Sequence, residues 1–587
     1  MFGFTGGGHS GHEHVLAGMR DLLVYAGGCN SEPFFSGGGV CAGYCTPAFE
    51  AADVVTAEKS GAACWFDGEI YNFGELAKET RFANDVQIRA GVAPSSKNIK
   101  ELIISACQAG TLNDFLRRVD GYFAAVVFDQ NRRQVKLLTD RFGFGQIFYA
   151  NRGENFIWAS EYKAFSAVPG FRVCVDRQSV DDFMKYGVLC DDRTWLEGVY
   201  LLDQASVLTY DMASGAVSVE RYWSPDEIRP LAGKINLTEL YGEWGRLFRQ
   251  SVAERTTYSD TVSTGLTLSG GLDSRAILAA MPEPPDGSKI NAVTYGPSGC
   301  NDVRFAAMAA EARGGVRHHI FPVEADGWLE RAFLGIWATD GGLDLSSQLG
   351  FGHFDAFAEL FGVCLNGIGG GTLHGRRALG SSLTVEHGRT DTGAPGLHTL
   401  RRRMIRPGFR LDESFFRIRM PFFSNALYEF VMALPDEIRV KRSFYAGALL
   451  HNFPRYYKKI PWQQPGVPIS WPRPLFEAGF FCNRVLSRAK RKLHSFGLPV
   501  TDPKLHFNIS EMMRHDGNRA LAARILAGKN TFYQEYLPGD VVAAINHGRA
   551  PAKIKTLCRA LTFEIWMRQL HIGRPYIDLD FDFKILK

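Results

Sequence analysis

The segment Leu266-Thr267-Leu268-Ser269-Gly270-Gly271-Leu272-Asp273-Ser274-Arg275 runs from an apolar stretch through two glycines into residues that open a helix. That order of residue types suits a phosphate cradle. Gly270 and Gly271 lack a Cβ, so the backbone can turn tightly and aim N–H groups at an anion, and the following helix adds its positive N-terminal end. Ser269 and Ser274 supply hydroxyl donors. Asp273 cannot bind phosphate itself, but a carboxylate beside a polyphosphate is placed to hold Mg2+, a hard cation that takes oxygen ligands. The combination implies a nucleotide plus a metal. The lysine of the G-x-x-x-x-G-K-S/T loop is absent and the turn is shorter, which disfavours transfer of a terminal phosphoryl group.

Such a loop needs a strand before it and a helix after it. Apolar residues recur at helical spacing from Glu239 to Glu254, Gly265–Leu268 reads as a buried strand, Ser274–Met281 as a helix and Ile290–Tyr295 as the next strand. This β-α-β order predicts a parallel sheet with helices on its faces and ligands at the carboxyl ends of its strands. Residues 1–165 read differently, as Gly-rich sequence with short apolar runs at Ala62–Phe66, Tyr122–Asp129 and Gln134–Thr139. Strands, more than long helices, are predicted there. Between Tyr222 and Ile235 two prolines, a glycine and mixed charge suit a connection between domains. A length of 587 residues, at roughly 100–200 per domain, allows this division.

Composition excludes several classes. Hydrophobic residues are 45% and charged residues 22%, which is globular and enzyme-like. A formal charge of +4 is too small to imply a nucleic-acid partner. The eleven cysteines form no C-x-x-C pair, which fits a reducing cytoplasm. There is no basic segment with a sustained apolar stretch at the start, and runs such as Tyr122–Phe128 fall short of a membrane span. Cys29, Cys41 and Cys45 with His9, His12 and His14 match no zinc spacing and read as core thiols and loop histidines. The basic clusters Arg401–Arg406 and Arg484–Lys492 read as solvated faces or a loop.

Ser269–Ser274 resembles the pyrophosphate loop of N-type ATP pyrophosphatases, and further segments narrow the resemblance to the asparagine synthetase-like family. Phe66-Asp67-Gly68-Glu69-Ile70-Tyr71-Asn72 resembles N-G-E-I-Y-N, and Val119-Asp120-Gly121-Tyr122-Phe123-Ala124 resembles L-x-G-M-F-A. Asp140-Arg141-Phe142-Gly143 with Ile147-Phe148-Tyr149, then Ala159-Ser160-Glu161-Tyr162-Lys163-Ala164, and finally Arg419-Met420-Pro421-Phe422-Phe423 follow in family order. The resemblance implies two domains. Residues 1–222 would form an N-terminal α+β sandwich like those of Ntn hydrolases, glutaminase-like, and 235–587 an α/β parallel-sheet PP-loop domain that uses ATP and Mg2+.

The family's glutaminase nucleophile is a cysteine directly after Met1, and this chain has Phe2. The family's oxyanion-hole Asn is Asp67 here, an acceptor where a donor is needed. Its glutamine-binding Asp is Ile99 if Glu101 is aligned. The first domain is therefore expected to be inactive on glutamine. In the second domain the resemblance assigns Leu268 and Tyr295 to the nucleotide, Ser269, Gly270, Gly271 and Ser274 to pyrophosphate, and Asp273 to the metal. Lys458 or Lys459, ahead of Ile460-Pro461-Trp462, would neutralise the departing pyrophosphate.

The family's S-G-E-G-x-D-E motif reads Asn366-Gly367-Ile368-Gly369-Gly370-Gly371-Thr372-Leu373-His374-Gly375. Gly367 stays as a nucleotide contact, while Ile368 and Gly371 stand where the family has acids. Asp340, Asp344 or His374 are the candidates to compensate. The implied activity is an ATP-dependent amide ligase that joins a small-molecule or peptide carboxylate to an amine or ammonia. Relatives without the cysteine include β-lactam synthetase and lasso-peptide cyclases, and a homodimer is compatible with the family. Glutamine-dependent asparagine synthesis and an inert nucleotide-binding module are the alternatives.

Overall fold

The computed structural model describes the chain apart from residues 6–11, 50–54, 58–60, 79–95, 348–351, 375–398, 496–507, 547–553, 580–587 and the positions 27, 32, 153–154, 234, 260–261, 298, 400, 440–442 and 529. His9 and Gly375 lie outside the described residues. The first region is two six-stranded antiparallel sheets laid face to face. One has the order Tyr200–Leu201, Phe148–Arg152, Asn155–Ala159, Phe2–Thr5, Val40–Gly43, Phe35–Gly37, and the other Val217–Arg221, Ser206–Asp211, Gln134–Thr139, Gly121–Asp129, Ala62–Ile70, Val55–Ala57. Strand alternation assigns each residue to a face. Ala63 and Trp65 turn inward onto Val40, Phe156 and Trp158 of the facing sheet, and Cys64 and Phe66 turn outward onto Ser96–Gln108 and Leu112–Arg118. The outer face of the other sheet, with Phe2, Phe4 and Ile157, is covered by His12–Leu23 and Tyr162–Ala167.

This four-layer arrangement agrees with the sandwich expected for the first domain. The preference for strands over long helices holds across the described part of residues 1–165, where the two sheets carry only two longer helices, His12–Leu23 and Ser96–Gln108, of 12 and 13 residues. In the first of these Val15, Leu16, Met19 and Leu22 make one buried stripe, a helical period that the glycines around it obscure.

The second region holds a five-stranded parallel sheet ordered Val316–Phe321, Ile290–Tyr295, Thr264–Thr267, Val363–Leu365, Arg417–Arg419. Its middle strands are covered on both faces, with Leu266, Ala292, Val293, Cys364 and Leu365 fully buried. In chain order the sheet reads 3-2-1-4-5, so the winding reverses between Thr264–Thr267 and Val363–Leu365. The crevice at the carboxyl ends of those two strands is where such sheets bind ligands. The expected connection begins pinned: Tyr222 and Trp223 are buried, and the Tyr222 hydroxyl donates to the Thr139 carbonyl at 2.9 Å.

The reading of Arg401–Arg406 as solvated or a loop is corrected. Arg401–Ile405 forms one π-helical turn with Arg401, Arg402 and Arg403 only 1%, 2% and 4% exposed. Their guanidinium groups reach into irregular backbone of the first region, where unpaired carbonyls replace water. Arg402 donates to the Leu202 carbonyl at 2.7 Å and pairs with Asp203 at 2.9 Å, while Arg403 donates to the carbonyls of Asp191 and Arg193, each at 2.7 Å. Burial weakens the basicity of both, bringing Arg403 down to about 9.

Candidate functional site

The turn expected to cradle phosphate follows the central strand Thr264–Thr267 and opens the helix Asp273–Ala280 at the reversal point of the sheet. The two glycines are explained by close approach, since neither has a positive φ. A Cβ on Gly270 would lie 2.7 Å from the Asn301 carbonyl oxygen. The Gly270 amide donates to the carboxylate of Asp302 at 2.9 Å, and the Gly271 amide to Ser269 Oγ at 3.2 Å. Ser269 and Ser274 share a hydroxyl hydrogen bond of 3.0 Å, and Ser274 Oγ accepts from the Ser269 amide at 3.0 Å. The turn is thus held in shape by its own serines and by one acid from the next helix.

Asn366–Gly371, after the strand Val363–Leu365, closes over the turn from the other side. A Cβ on Gly367 would fall 2.6 Å from the Ser274 nitrogen, so only glycine lets the two loops touch. Asp273 sits between them: Oδ2 accepts from the Gly371 amide at 3.0 Å and Oδ1 from the Tyr445 hydroxyl at 2.8 Å. Each oxygen keeps a second lone pair. Among the described residues no group of three or more His, Cys, Asp or Glu is arranged to hold a metal alone. Asp273 therefore fits a Mg2+ ion shared with phosphate oxygens, the usual arrangement for that cation.

Leu268 is buried, its amide donating to the Val293 carbonyl at 2.8 Å and its carbonyl accepting from Thr294 Oγ1 at 2.6 Å. What Leu268 offers a ligand is the second lone pair of that carbonyl. Tyr295 ends the neighbouring strand, with burial raising its hydroxyl pKa. Lys458 and Lys459 are exposed in the turn after Pro454–Tyr457.

The link between these lysines and the phosphate turn was missed in the sequence. Arg275, fully buried, donates to five backbone carbonyls: Gly271 at 3.1 Å, Gly270 at 2.8 Å, Tyr456 and Ile460 at 3.2 Å each, and Pro461 at 3.0 Å. Gln463 adds a backbone N–H to the Gly270 carbonyl at 3.2 Å. Burial lowers the Arg275 pKa to about 10, which leaves it charged at neutral pH. One guanidinium thus clamps the turn to the segment carrying the lysine pair. The only sequence signal is an arginine in the first turn of a helix.

The three compensating candidates are corrected. His374 is 1% exposed, and both its ring nitrogens are used: Trp244 Nε1, solely a donor, donates to Nε2 at 2.9 Å, so Nδ1 carries the proton and donates to the Gly370 carbonyl at 2.7 Å. Burial lowers its pKa to about 4, and it stacks on Tyr445 with ring centroids 4.1 Å apart. It cannot serve as a base in that state. Asp340 accepts from Lys163 at 3.1 Å and from the Tyr162 amide at 2.9 Å, and Asp344 accepts from Arg559 at 3.3 Å. Both carboxylates are committed to joining distant parts of the chain.

In the first region Phe2 is 1% exposed, with its ring edge-on to Phe34. Asp67 borders a cavity of about 100 Å3 that also touches Ser160, Glu161, Arg410 and Arg417. Burial alone would raise the Asp67 carboxyl, but Arg417, 4.0 Å away, and neighbouring cations hold it below the usual carboxylate range. Ile99 is buried in the helix Ser96–Gln108. Glu69 accepts from Arg419 through both oxygens, at 2.6 and 2.8 Å, and Arg255 donates to Asp120 at 2.8 Å. With Arg141 pairing to Glu429 and Lys163 to Asp340, all four of the quoted first-domain motifs meet the second region as ion pairs.

Residues 50–223 match the family described as a glutamine amidotransferase domain, and residues 243–389 match asparagine synthase. The chain thus pairs an amidotransferase domain with an asparagine synthase domain, in that order. That pairing supports the resemblance to the asparagine synthetase-like family. Among curated relatives it is 27% identical to asparagine synthetase (glutamine-hydrolyzing) 3 of Bacillus subtilis, over 36% of this chain and 33% of that protein. It is 25% identical to putative asparagine synthetase (glutamine-hydrolyzing) 2 of Methanocaldococcus jannaschii, over 44% and 48%. To the carboxyethyl-arginine beta-lactam-synthase of Streptomyces clavuligerus it is 26% identical, over 46% and 47%. The matches span between a third and a half of these relatives. A solved glutamine phosphoribosylpyrophosphate amidotransferase from B. subtilis covers 55% of this chain and 80% of its own at 12% identity and a TM-score of 0.27.

Proposed function

We propose that the chain is an ATP-dependent carbon–nitrogen ligase, with a glutaminase-like but inactive Ntn-type domain at 1–222 and a PP-loop synthetase domain at 235–587. The observation that carries this reading is the crevice in which Ser269–Ser274 and Asn366–Gly371 close around the Asp273 carboxylate. A substrate carboxylate oxygen attacks the α-phosphorus of ATP, the bond to the β-phosphate breaks, and an amine or ammonia then takes the acyl group as AMP leaves. Gly271 N–H and the Ser269 and Ser274 hydroxyls, now bonded to one another, are the donors that turn to the departing pyrophosphate. Arg275 keeps the turn and the Lys458–Lys459 segment at fixed separation, and one of those ammonium groups meets the leaving charge. Mg2+, when bound between Asp273 and the phosphates, would neutralise the same charge.

The amine arrives free or within the substrate rather than from glutamine. Phe2 offers no nucleophile, and Asp67, held ionised beside Arg417, would repel an oxyanion. A reducing compartment such as the cytoplasm suits eleven free thiols. No helix among the described residues is long and apolar enough to cross a membrane. The test incubates the protein with ATP, Mg2+ and a panel of carboxylates and amines and follows pyrophosphate. Release is expected, with Asp273→Asn lowering it at least a hundredfold and no glutamate formed from glutamine. Ile368 and Gly371 in place of acids favour a second reading, an inert nucleotide-binding module, and ATP binding without turnover across the panel would select it.

A further inference from the structure

The cluster Arg484–Lys492 lies within the helix Arg473–Ser495, whose 23 residues extend about 35 Å. One face of this helix is seated. Phe476 and Phe480 pack on Trp462 with ring centroids 6.2 and 5.5 Å away, and Asn483 donates to the Gln464 carbonyl at 3.4 Å. The opposite side is exposed yet apolar. Leu475, Ala478, Cys482, Val485 and Ala489 follow one another at steps of three, four, three and four, with Leu486 and Leu493 seven apart beside them. Leu475 is 55% exposed, Leu486 56% and the neighbouring Phe481 70%. A 3-4-3-4 spacing is the seam by which one helix meets another, and its small members, Ala478, Cys482 and Ala489, allow close approach.

Charge decides what kind of helix fits. Arg488 flanks the seam beside Ala489 and Arg484 stands one turn earlier, farther round the helix; both are exposed and make no ion pair or hydrogen bond among the described residues. The helix carries six Lys and Arg against one acid, Glu477, which Arg473 already engages at 2.8 Å. A second copy of this face would set like charges together, which costs what opposite charges gain.

We propose that the exposed seam of Arg473–Ser495 is a docking surface for an acidic amphipathic helix of about three heptads, supplied by another polypeptide. The seam is separate from the phosphate turn, and its seat, Trp462, precedes Gln463, whose amide bonds the Gly270 carbonyl.

The test uses the full chain and two fluorescein-labelled 21-residue peptides with leucine at the seam positions, one flanked by glutamates and one by lysines. Anisotropy is expected to show the glutamate peptide binding at least tenfold more tightly than its lysine twin, and more weakly at 300 than at 50 mM salt. Leu475→Asp with Leu486→Asp, both at exposed positions, should weaken binding at least tenfold while circular dichroism and melting stay unchanged. Arg484→Glu with Arg488→Glu should invert the preference between the peptides. Iodoacetamide labelling of Cys482, an exposed thiol on the seam, should slow at least fivefold with the glutamate peptide bound, while labelling of the exposed Cys174 stays constant.

Equal affinity for both peptides, or none, overturns the proposal. So does protection of Cys482 by phosphatidylserine vesicles but not by the peptide, which would make the face a lipid contact. Protection of Cys482 in the free chain, relieved by the leucine substitutions, also overturns it: sedimentation as a dimer would then assign the face to a second copy, and as a monomer to the chain itself.

Discussion

Replacing Arg275 by lysine keeps the charge and removes the fork. The guanidinium has five N–H donors and uses them on five carbonyls, two in the phosphate turn and three in Tyr456–Pro461. An ammonium has three, so at least two carbonyls lose a charged donor in a fully buried site. At ~1.5 kcal/mol for each such bond the loss is about 3 kcal/mol. It falls on the contact between turn and lysine segment, since the surrounding core residues Leu266, Ile277 and Tyr457 are untouched. If the clamped arrangement binds nucleotide and the released one does not, apparent affinity falls by the fraction still clamped, between about ten- and a hundredfold. Fluorescent-nucleotide titration with Mg2+ reads that change, and differential labelling of Lys458 and Lys459 with and without ATP shows whether they still meet the nucleotide. In Arg275→Lys, weaker binding together with lost protection is expected, with circular dichroism unaltered. Nucleotide affinity and lysine protection within twofold of the unsubstituted chain would refute the clamp.

Two further outcomes test the surroundings. Because burial lowers the His374 pKa to about 4, the unfolded chain takes up a proton first as pH falls below about 6.5, so this group's contribution to stability is whole at pH 7.5 and is lost progressively toward pH 4. Urea unfolding should show the advantage of the unsubstituted chain over His374→Gln shrinking by about 2 kcal/mol between pH 7.5 and 5. Arg402→Met should cost about 2 kcal/mol, because the carbonyls of Leu201 and Leu202 lose their donor in the join between the regions, while Asp203 keeps Arg221. Calorimetry is expected to show the single transition lowered or split in two, and an unchanged trace would place that join elsewhere.

What could be read from the sequence was local. The strand Ile290–Tyr295, the strand Gln134–Thr139 and the turn Ser269–Ser274 follow from hydrophobic period and glycine placement, and the structure has each where it was expected. What could not be read depends on partners far away in the chain. Charge runs are ordinarily solvated, and nothing near Arg401–Arg403 says that carbonyls two hundred positions earlier will receive them. His374 reads as a base until Trp244, a donor alone, is seen on its second nitrogen. Arg275 reads as one more polar residue at the start of a helix until its five carbonyl partners converge.

The same distinction accounts for how the first region is held to the second. Of its motif residues, Glu69 holds Arg419, Asp120 holds Arg255, Arg141 pairs with Glu429, and the Tyr122 hydroxyl donates to the Met420 carbonyl. Each contact crosses to the second region, and Arg419 belongs to the strand that adjoins Val363–Leu365 in the parallel sheet. Removing the first region would strip Arg419 of its counter-charge and leave Arg255 only Glu254, 3.8 Å away, in a buried interior where an uncompensated charge is strongly destabilising. The loss would be felt along Arg417–Arg419 and, through the Asn366 amide bonded to the Arg419 carbonyl, at the loop that closes on Asp273. The first region therefore acts on the crevice mechanically, as the wall that keeps that strand paired and in register.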